Sequence, residues 1–216
     1  MGIGNDFNCA KNSKKENDNN INRDIAIIGI GLKFPLADTA EEFWDLLRNG
    51  ICAVRDIPLN RKIHTESYLS YRGKEEEYSF EKAGYLERID CFDHSFFHIS
   101  PKEASYMDPN QRIFLQTVWE AVEDSGYGAE QMRGSNTGIY TGYSGEAEYR
   151  NMIMEIDAEA LPIATAGNLP SVIGGRVSYL MDLKGPNLLV NTMCSSSLTA
   201  IHLACQAIRA GECDMA

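Results

Sequence analysis

The strongest constraint on this chain is a short apolar strand that leads directly into a long, mostly apolar helix. The apolar residues after Pro186 predict a strand over 187–192. The hydroxyls of Ser195, Ser196 and Ser197 are expected to cap the start of the helix, which extends to about Ala210 and is ended by Gly211. Its polar residues form one narrow stripe: His202, Gln206 and Arg209. A helix that is apolar on nearly every side is typical of a large core, so we expect it to be a buried central helix.

Cys194 occupies the turn between this strand and this helix. A helix N-terminus carries unpaired N–H groups and partial positive charge, and both favour the thiolate form of a cysteine placed there. A thiolate at such a turn is suited to attack a carbonyl carbon. We therefore interpret Cys194 as a candidate nucleophile, with a small packed apolar side chain as the alternative.

The order of the predicted elements indicates an α/β fold with a parallel sheet. Two further apolar runs predict strands, at Asp24–Gly31 and Thr137–Gly142. Helix starts are indicated by Thr39 with Glu42, by Ser100 with Glu103, and by Asp108 with Pro109. Another helix is expected over 170–183, where Gly174 and Gly175 allow close approach of a neighbour. Residues 51–90 are expected to form an irregular surface excursion.

Composition and spacing narrow the possible partners. The formal net charge is −11 and no basic stripe occurs, which argues against nucleic acid. No apolar run reaches membrane-spanning length and no secretory signal is recognised. We therefore expect a cytoplasmic protein that is neither secreted nor bound to a membrane. The six cysteines include no Cys-x-x-Cys pair and are expected to be reduced thiols. His94 and His98 lack a third ligand at a supporting spacing, so no metal site is expected.

Several ordered sequence blocks resemble β-ketoacyl synthases, the condensing domains of modular polyketide synthases. The central block is Asn191-Thr-Met-Cys-Ser-Ser-Ser-Leu-Thr-Ala-Ile-His-Leu-Ala204, in which Met193 replaces the alanine that the family usually carries. That replacement is similar to synthases served by a separate acyltransferase. The other blocks are Phe34-Pro35, Phe92-Asp93, Ile99-Ser-Pro101, Met107-Asp-Pro-Asn-Gln-Arg112, Gly174-Gly-Arg-Val-Ser-Tyr179 and Gly211-Glu-Cys-Asp214.

The resemblance implies the N-terminal half of a thiolase-like fold, truncated at its C-terminus and spanning 23–216. Residues 1–22, rich in Asn, Lys and Ser, are expected to be a disordered leader or linker. The resemblance also implies that Cys194 is the acyl-accepting nucleophile. Met193, Asn168 and Ser195 are expected to line the substrate channel.

By the same resemblance the substrate arrives on the phosphopantetheine arm of an acyl carrier protein, and no cofactor binds directly. The complete domain is expected to form a homodimer through strand 187–192. Elongation would be a decarboxylative Claisen condensation, assisted in the family by two histidines located after the cysteine helix. None of this chain's four histidines matches those motifs, and His202 is expected to be a buried structural residue.

Two alternatives remain open at this point. The chain could be a catalytically incompetent fragment that only binds or dimerises, or part of a non-extending synthase that only passes acyl groups along. The 216 residues alone are expected not to catalyse condensation, because the implied histidines are not among them.

Overall fold

The computed structural model describes residues 24–74, 78–145 and 148–216, so the predicted leader over 1–22 lies outside the described residues. The helices are α1 Ala40–Arg48, α2 Leu59–Tyr71, α3 Pro101–Tyr106, α4 Pro109–Asp124, α5 Gly128–Met132, α6 Glu148–Ile156, α7 Leu161–Ala166, α8 Val172–Leu180 and α9 Ser196–Ala210. The strands are β1 Ile139–Gly142 and β2 Asn187–Val190, and short 3-10 turns occur at Ala158–Ala160 and Met193–Ser195.

The two strands form a parallel pair, as the order of elements predicted. Ile139 pairs with Asn187 at one end and Gly142 with Val190 at the other. After α9 the chain returns to the opposite side of β1, where Met215 forms a parallel bridge with Thr137. Helix α9 is therefore the crossover that carries the chain from one edge of β1 to the other.

The core lies between α4, α8 and the segments that flank the sheet. Met107 and Val177 are completely buried at its centre. Around them are packed Phe97, Ile99, Ala104, Leu115, Val122, Met132, Met181 and Leu183. The ring of Trp119 meets the edge of Phe96, with the ring centroids 4.7 Å apart, and this contact joins the 92–97 segment to α4.

Helix starts indicated by the sequence are confirmed. The Thr39 hydroxyl accepts from the Glu42 N–H and the Glu42 carboxylate reaches back to the Thr39 N–H, a complete capping box. The Ser100 hydroxyl accepts from Glu103 N–H, but the Glu103 carboxylate instead pairs with Arg176 of α8 at 2.8 Å. Asp108 caps α4 through Asn110 N–H, with Pro109 in the first turn.

The predicted first strand, Asp24–Gly31, is wrong in this structure. The segment is extended, but no described strand hydrogen-bonds to it, and the Ile27 side chain is 84% exposed. It lies along α4 instead, where Ile30 N–H donates to the Asp124 carboxylate at 2.8 Å. Gly29 lies so close that an added Cβ would collide with the carbonyl oxygen of Ala121, so helix backbone takes the place of a neighbouring strand.

The expected irregular excursion over 51–90 is also wrong in part, because it contains the 13-residue helix α2. Its start carries no side-chain cap, and Leu69 is its one buried residue. Without a capping motif or an apolar stripe, neither of the usual helix signals was present in the sequence.

Helix α9, the predicted central helix, packs one face against the sheet and leaves its other face exposed in this structure. Ser196, Ala200 and Ala207 face the sheet and are buried. On the other side Leu198 is 75% exposed and Ile201 is 59% exposed. The small residues of the buried face are what allow the helix to lie directly on β1.

Candidate active site

The candidate nucleophile lies where the parallel strands end. Strand β2 ends at Val190 and β1 ends beside it at Gly142, so both carboxyl ends are at the same edge of the sheet. The chain then forms the Met193–Ser195 turn and enters α9. Cys194 is exposed within this turn. In open α/β folds this edge is the usual location of ligand sites, since the following helix N-termini point their N–H groups toward it.

Met193, immediately before the cysteine, holds a left-handed backbone conformation with φ of 56°. For an L-residue that conformation costs about 1–2 kcal/mol. Its N–H donates to Asn191 Oδ1 at 3.2 Å, and its carbonyl accepts from the Ser196 hydroxyl at 2.7 Å. Two such bonds contribute about 0.5–1.5 kcal/mol each, so together they offset the cost of the turn.

The three serines that follow Cys194 occupy three different environments. Ser196 is 5% exposed and bridges the turn, since its hydroxyl also accepts from Thr192 N–H at 2.9 Å. The Ser195 hydroxyl is exposed and bonds back to the Thr192 carbonyl at 2.9 Å. It does not cap α9, which corrects the capping role expected for the serine run. Ser197 is exposed.

Gly142 allows the start of α9 to rest on the end of β1. A Cβ built at Gly142 would lie 2.8 Å from the Ser196 carbonyl carbon and 2.8 Å from the Ser197 nitrogen. Both are backbone atoms, so no side-chain rotation would relieve the collision. The glycine is thus required by the packing that supports the cysteine turn.

Asn168 belongs to a separate, buried group of polar contacts. It is 5% exposed, and its Nδ2 donates to the carbonyls of Tyr106 at 2.6 Å and Ala164 at 2.7 Å. Its Oδ1 is buried with no hydrogen-bond partner among the described residues. No hydrogen bond within the described ranges joins it to the Met193–Ser195 turn, so the structure brings Met193, Cys194 and Ser195 together and leaves Asn168 apart.

Tyr143 stands between these two groups. Its N–H donates to the Val190 carbonyl at 3.1 Å, at the edge of the sheet from which the cysteine turn departs. Burial, with a smaller contribution from the negative charge of Asp108, raises the pKa of the Tyr143 phenol. Asp108 N–H in turn donates to the Gly167 carbonyl at 2.9 Å, directly before Asn168.

The histidines lie away from this turn or are exposed. His202 is exposed on α9, so its expected buried structural role is wrong. His94 Nδ1 lies 3.0 Å from the Ile99 carbonyl oxygen, and the His94–His98 segment is a turn rather than a helix with both imidazoles on one face. In the described part of the chain, no group of three or more His, Cys, Asp or Glu side chains could hold a metal ion.

Comparison with known proteins identifies the family to which this chain is related. Residues 22–216 match the family model described as "Beta-ketoacyl synthase, N-terminal domain". The chain belongs to the β-ketoacyl synthase family. The ketosynthase resemblance of the sequence is thereby confirmed.

Relatives and solved structures agree with this family. The chain is 42% identical over 200 residues to polyketide synthase PksL of Bacillus subtilis, covering 89% of the chain and 4% of the relative. It is 39% identical over 192 residues to polyketide synthase ThaG of Burkholderia thailandensis, covering 89% and 3%.

Two solved ketosynthases share the fold. The ketosynthase of module 6 of the bacillaene synthase from Bacillus subtilis matches with a TM-score of 0.70 at 35% identity, covering 87% of the chain and 29% of that protein. The oxazolomycin ketosynthase domain OzmH KS7 of Streptomyces albus matches with a TM-score of 0.73 at 37% identity, covering 87% and 33%. The expected thiolase-like α/β architecture is confirmed, and the chain spans about a third or less of each solved ketosynthase.

Three residues that support the cysteine turn were missed by sequence reasoning: Asn191, Ser196 and Gly142. The first two lay within the recognised block but carried no distinguishing signal, because neighbouring serines look alike until β1 is packed against one of them. Gly142, at the end of a predicted strand, was a usable signal of close approach.

Among the described helices, none combines the length and apolar composition needed to cross a membrane.

Proposed function

We propose that this chain supplies the nucleophile of a ketosynthase domain in polyketide chain elongation. The observation that carries the proposal is the exposed Cys194 thiol at the N-terminus of α9, at the carboxyl edge of a parallel sheet. The Cys194 thiolate attacks the carbonyl carbon of an acyl thioester on the phosphopantetheine arm of a carrier protein. The carrier thiol leaves, and the acyl chain remains on Cys194 as a thioester.

The second step lengthens the chain. A malonyl-type extender on a carrier protein loses CO₂, and the resulting enolate carbon attacks the acyl-Cys194 carbonyl. The Cys194 thiolate leaves, and the ketoacyl product stays on the carrier. Backbone N–H groups of the turn before α9, including that of Cys194, are suited to stabilise the thioester oxyanion.

Enolate stabilisation is the remaining requirement of this second step. The family resemblance implies two histidines after the cysteine helix, and His202, within α9, is the last histidine here. The 216 residues alone are therefore expected not to condense, since loss of one acid–base or electrostatic contributor costs about 10²–10⁴ in rate.

Met193, Asn168 and Ser195 are proposed to line the acyl channel. Met193 is 72% exposed beside the thiol, so an acyl chain on Cys194 would meet it first. Asn168 supports the proposal through its buried, unpartnered Oδ1, which is available to a donor. Methionine at position 193 further supports a synthase served by a separate acyltransferase.

A homodimer through strand β2 is proposed for the complete domain. Leu188 is 43% exposed and Leu189 is 38% exposed, and no described strand pairs with the edge of β2 opposite β1. Apolar side chains next to an open strand edge favour pairing with another chain. We also propose a cytoplasmic location, supported by the five described cysteines, which are all free thiols.

The experiment offers acyl and malonyl carrier proteins to the complete ketosynthase domain and follows the ketoacyl product by mass spectrometry. We expect product from the unsubstituted complete domain and none from its Cys194→Ala variant. Product from Cys194→Ala at the native rate would overturn the proposal. Transfer of acyl groups without a lengthened product would instead indicate a non-extending synthase.

A further inference from the structure

We infer that Ser196 and Asn191 clamp Met193 in its left-handed conformation and that this clamp positions the Cys194 thiol. The inference rests on the proposed nucleophilic role of Cys194. Both clamp residues are positioning residues, because they act on the backbone next to the cysteine and do not themselves reach the thiol.

The geometry of the clamp is closed on both sides of Met193. Asn191 Oδ1 accepts from its N–H at 3.2 Å, and the Ser196 hydroxyl donates to its carbonyl oxygen at 2.7 Å. The same hydroxyl accepts from Thr192 N–H at 2.9 Å, so one buried oxygen spans the turn from both directions. The N–H and the carbonyl of Met193 therefore each have a side-chain hydrogen-bond partner.

The turn is also pinned from outside the clamp. The hydroxyls of Thr192 and Thr199 lie 3.2 Å apart, which ties the segment before the cysteine to the first turn of α9. Ser196 is itself buried at 5% exposure against the end of β1, where Gly142 leaves no room for a side chain. The sheet therefore fixes Ser196, Ser196 fixes Met193, and Met193 sets the direction in which Cys194 leaves the turn.

The serine run contains its own control. Ser196 is buried in the clamp, whereas Ser197 is exposed and its hydroxyl makes no hydrogen bond with any described residue. Replacement of either serine by alanine removes the same single oxygen from the same helix turn. A difference between the two variants therefore reports the clamp rather than the loss of a serine.

The test measures the alkylation rate of Cys194 by iodoacetamide at neutral pH, by peptide mass mapping of the full-length protein. Ser196→Ala is expected to lower the rate by roughly tenfold or more, because it removes both hydrogen bonds of the Ser196 hydroxyl. Asn191→Ala, which alters an exposed side chain, is also expected to lower the alkylation rate. Ser197→Ala is expected to leave it unchanged.

Rescue separates positioning from a general loss of stability. Asparagine adopts the left-handed conformation more readily than methionine, so Met193→Asn is expected to make the clamp less necessary. Ser196→Ala should then reduce the alkylation rate of Cys194 by a smaller factor in the Met193→Asn background than in the native sequence. Equal costs in the two backgrounds, or equal rates for Ser196→Ala and Ser197→Ala, would overturn the inference.

Acylation by an acyl carrier protein is measured on the same variants. With Cys194 as the acyl acceptor, Ser196→Ala should slow acylation by about 10- to 100-fold, since misplacement of a reacting group is costly. If the native protein is alkylated at Cys194 but never acylated there, the proposed function fails, while the alkylation rates still decide the clamp. Should Ser196→Ala fail to fold, Asn191→Ala carries the comparison with Ser197→Ala.

Discussion

Cys194 and Cys213 lie near opposite ends of α9 and in opposite surroundings. Cys194 is exposed, and Cys213 is 1% exposed. Burial raises the pKa of the Cys213 thiol, and the Gly138 N–H and the Tyr140 side chain offset only part of that effect. A raised pKa leaves less thiolate at neutral pH, and the thiolate is the reactive form.

The alkylation rates of the two thiols should therefore differ. At neutral pH we expect Cys213 to react roughly tenfold or more slowly than Cys194, with its rate still increasing as the pH is raised above the ordinary range of a thiol. Peptide mapping of the folded protein against pH gives both rates, and the unfolded protein is the control in which they should converge. Faster reaction of Cys213 or Cys205 in the folded protein would contradict the assignment of Cys194.

At the residue scale, the sequence singles out Cys194 as the candidate nucleophile. It does not identify the residues that hold the backbone turn around Cys194. The cysteine is recognisable because a strand, a turn and a helix follow one another around it. The role of Ser196 depends on which face of α9 meets β1, and that is a tertiary contact. The exposure of His202 could not be anticipated for the same reason.

At the scale of elements, the contact between β1 and α9 is the most sensitive part of the fold. Gly142→Ala places a methyl group against backbone of α9, and overpacking of this kind costs about 1–3 kcal/mol. Gly175→Ala in α8 is the matched control. The nearest atom to a Cβ added at Gly175 is the side-chain amide nitrogen of Asn187 at 3.3 Å, not a backbone atom. The gain in helix propensity there is about 0.5–1 kcal/mol.

Chemical denaturation of both variants measures the difference. We expect Gly142→Ala to lower the free energy of unfolding and Gly175→Ala to leave it unchanged or raise it slightly. If the two variants prove equally stable, the close approach of β1 and α9 is not a constraint.

Elements with local signals were predictable, and those defined by their neighbours were not. The caps at Thr39, Ser100 and Asp108 determine helix starts through contacts three residues or fewer away. The Asp24–Gly31 segment is apolar enough for a strand, but strand formation needs a pairing partner, and here α4 takes that place. Helix α2 has no cap and little apolar periodicity, and polar contacts with distant residues join it to the rest of the fold, such as the hydrogen bond from the Tyr68 hydroxyl to the Glu155 carboxylate.

At the scale of the whole molecule, large apolar side chains are exposed on both elements that flank the cysteine turn. Leu188 of β2 and Leu198 of α9 are 43% and 75% exposed, and both lie near the cysteine turn along the chain. Where exposed apolar side chains form a contiguous patch, they mark an interaction site. Because the chain spans 29% of a matched ketosynthase, part of that surface is expected to be covered in longer relatives.

The proposed dimer is tested by sedimentation of the full-length protein. Leu188→Asp is expected to weaken self-association by about 10- to 100-fold, the usual effect of losing one central apolar contact. Leu59→Asp is the control, since Leu59 is 73% exposed on α2, away from the sheet. A native protein that stays monomeric at micromolar concentration would contradict the dimer, as would equal weakening by both variants.

The central claim is that Cys194 accepts the acyl chain, and one measurement tests it most directly. The full-length protein is incubated with an acyl carrier protein in the absence of any extender, digested, and searched for the acyl mass on each cysteine-containing peptide. We predict a single acylated peptide, the one that contains Cys194, and no acyl mass on any peptide of the Cys194→Ala variant. Acyl mass on Cys91 or Cys205 instead, or undiminished acylation of Cys194→Ala, would contradict the account.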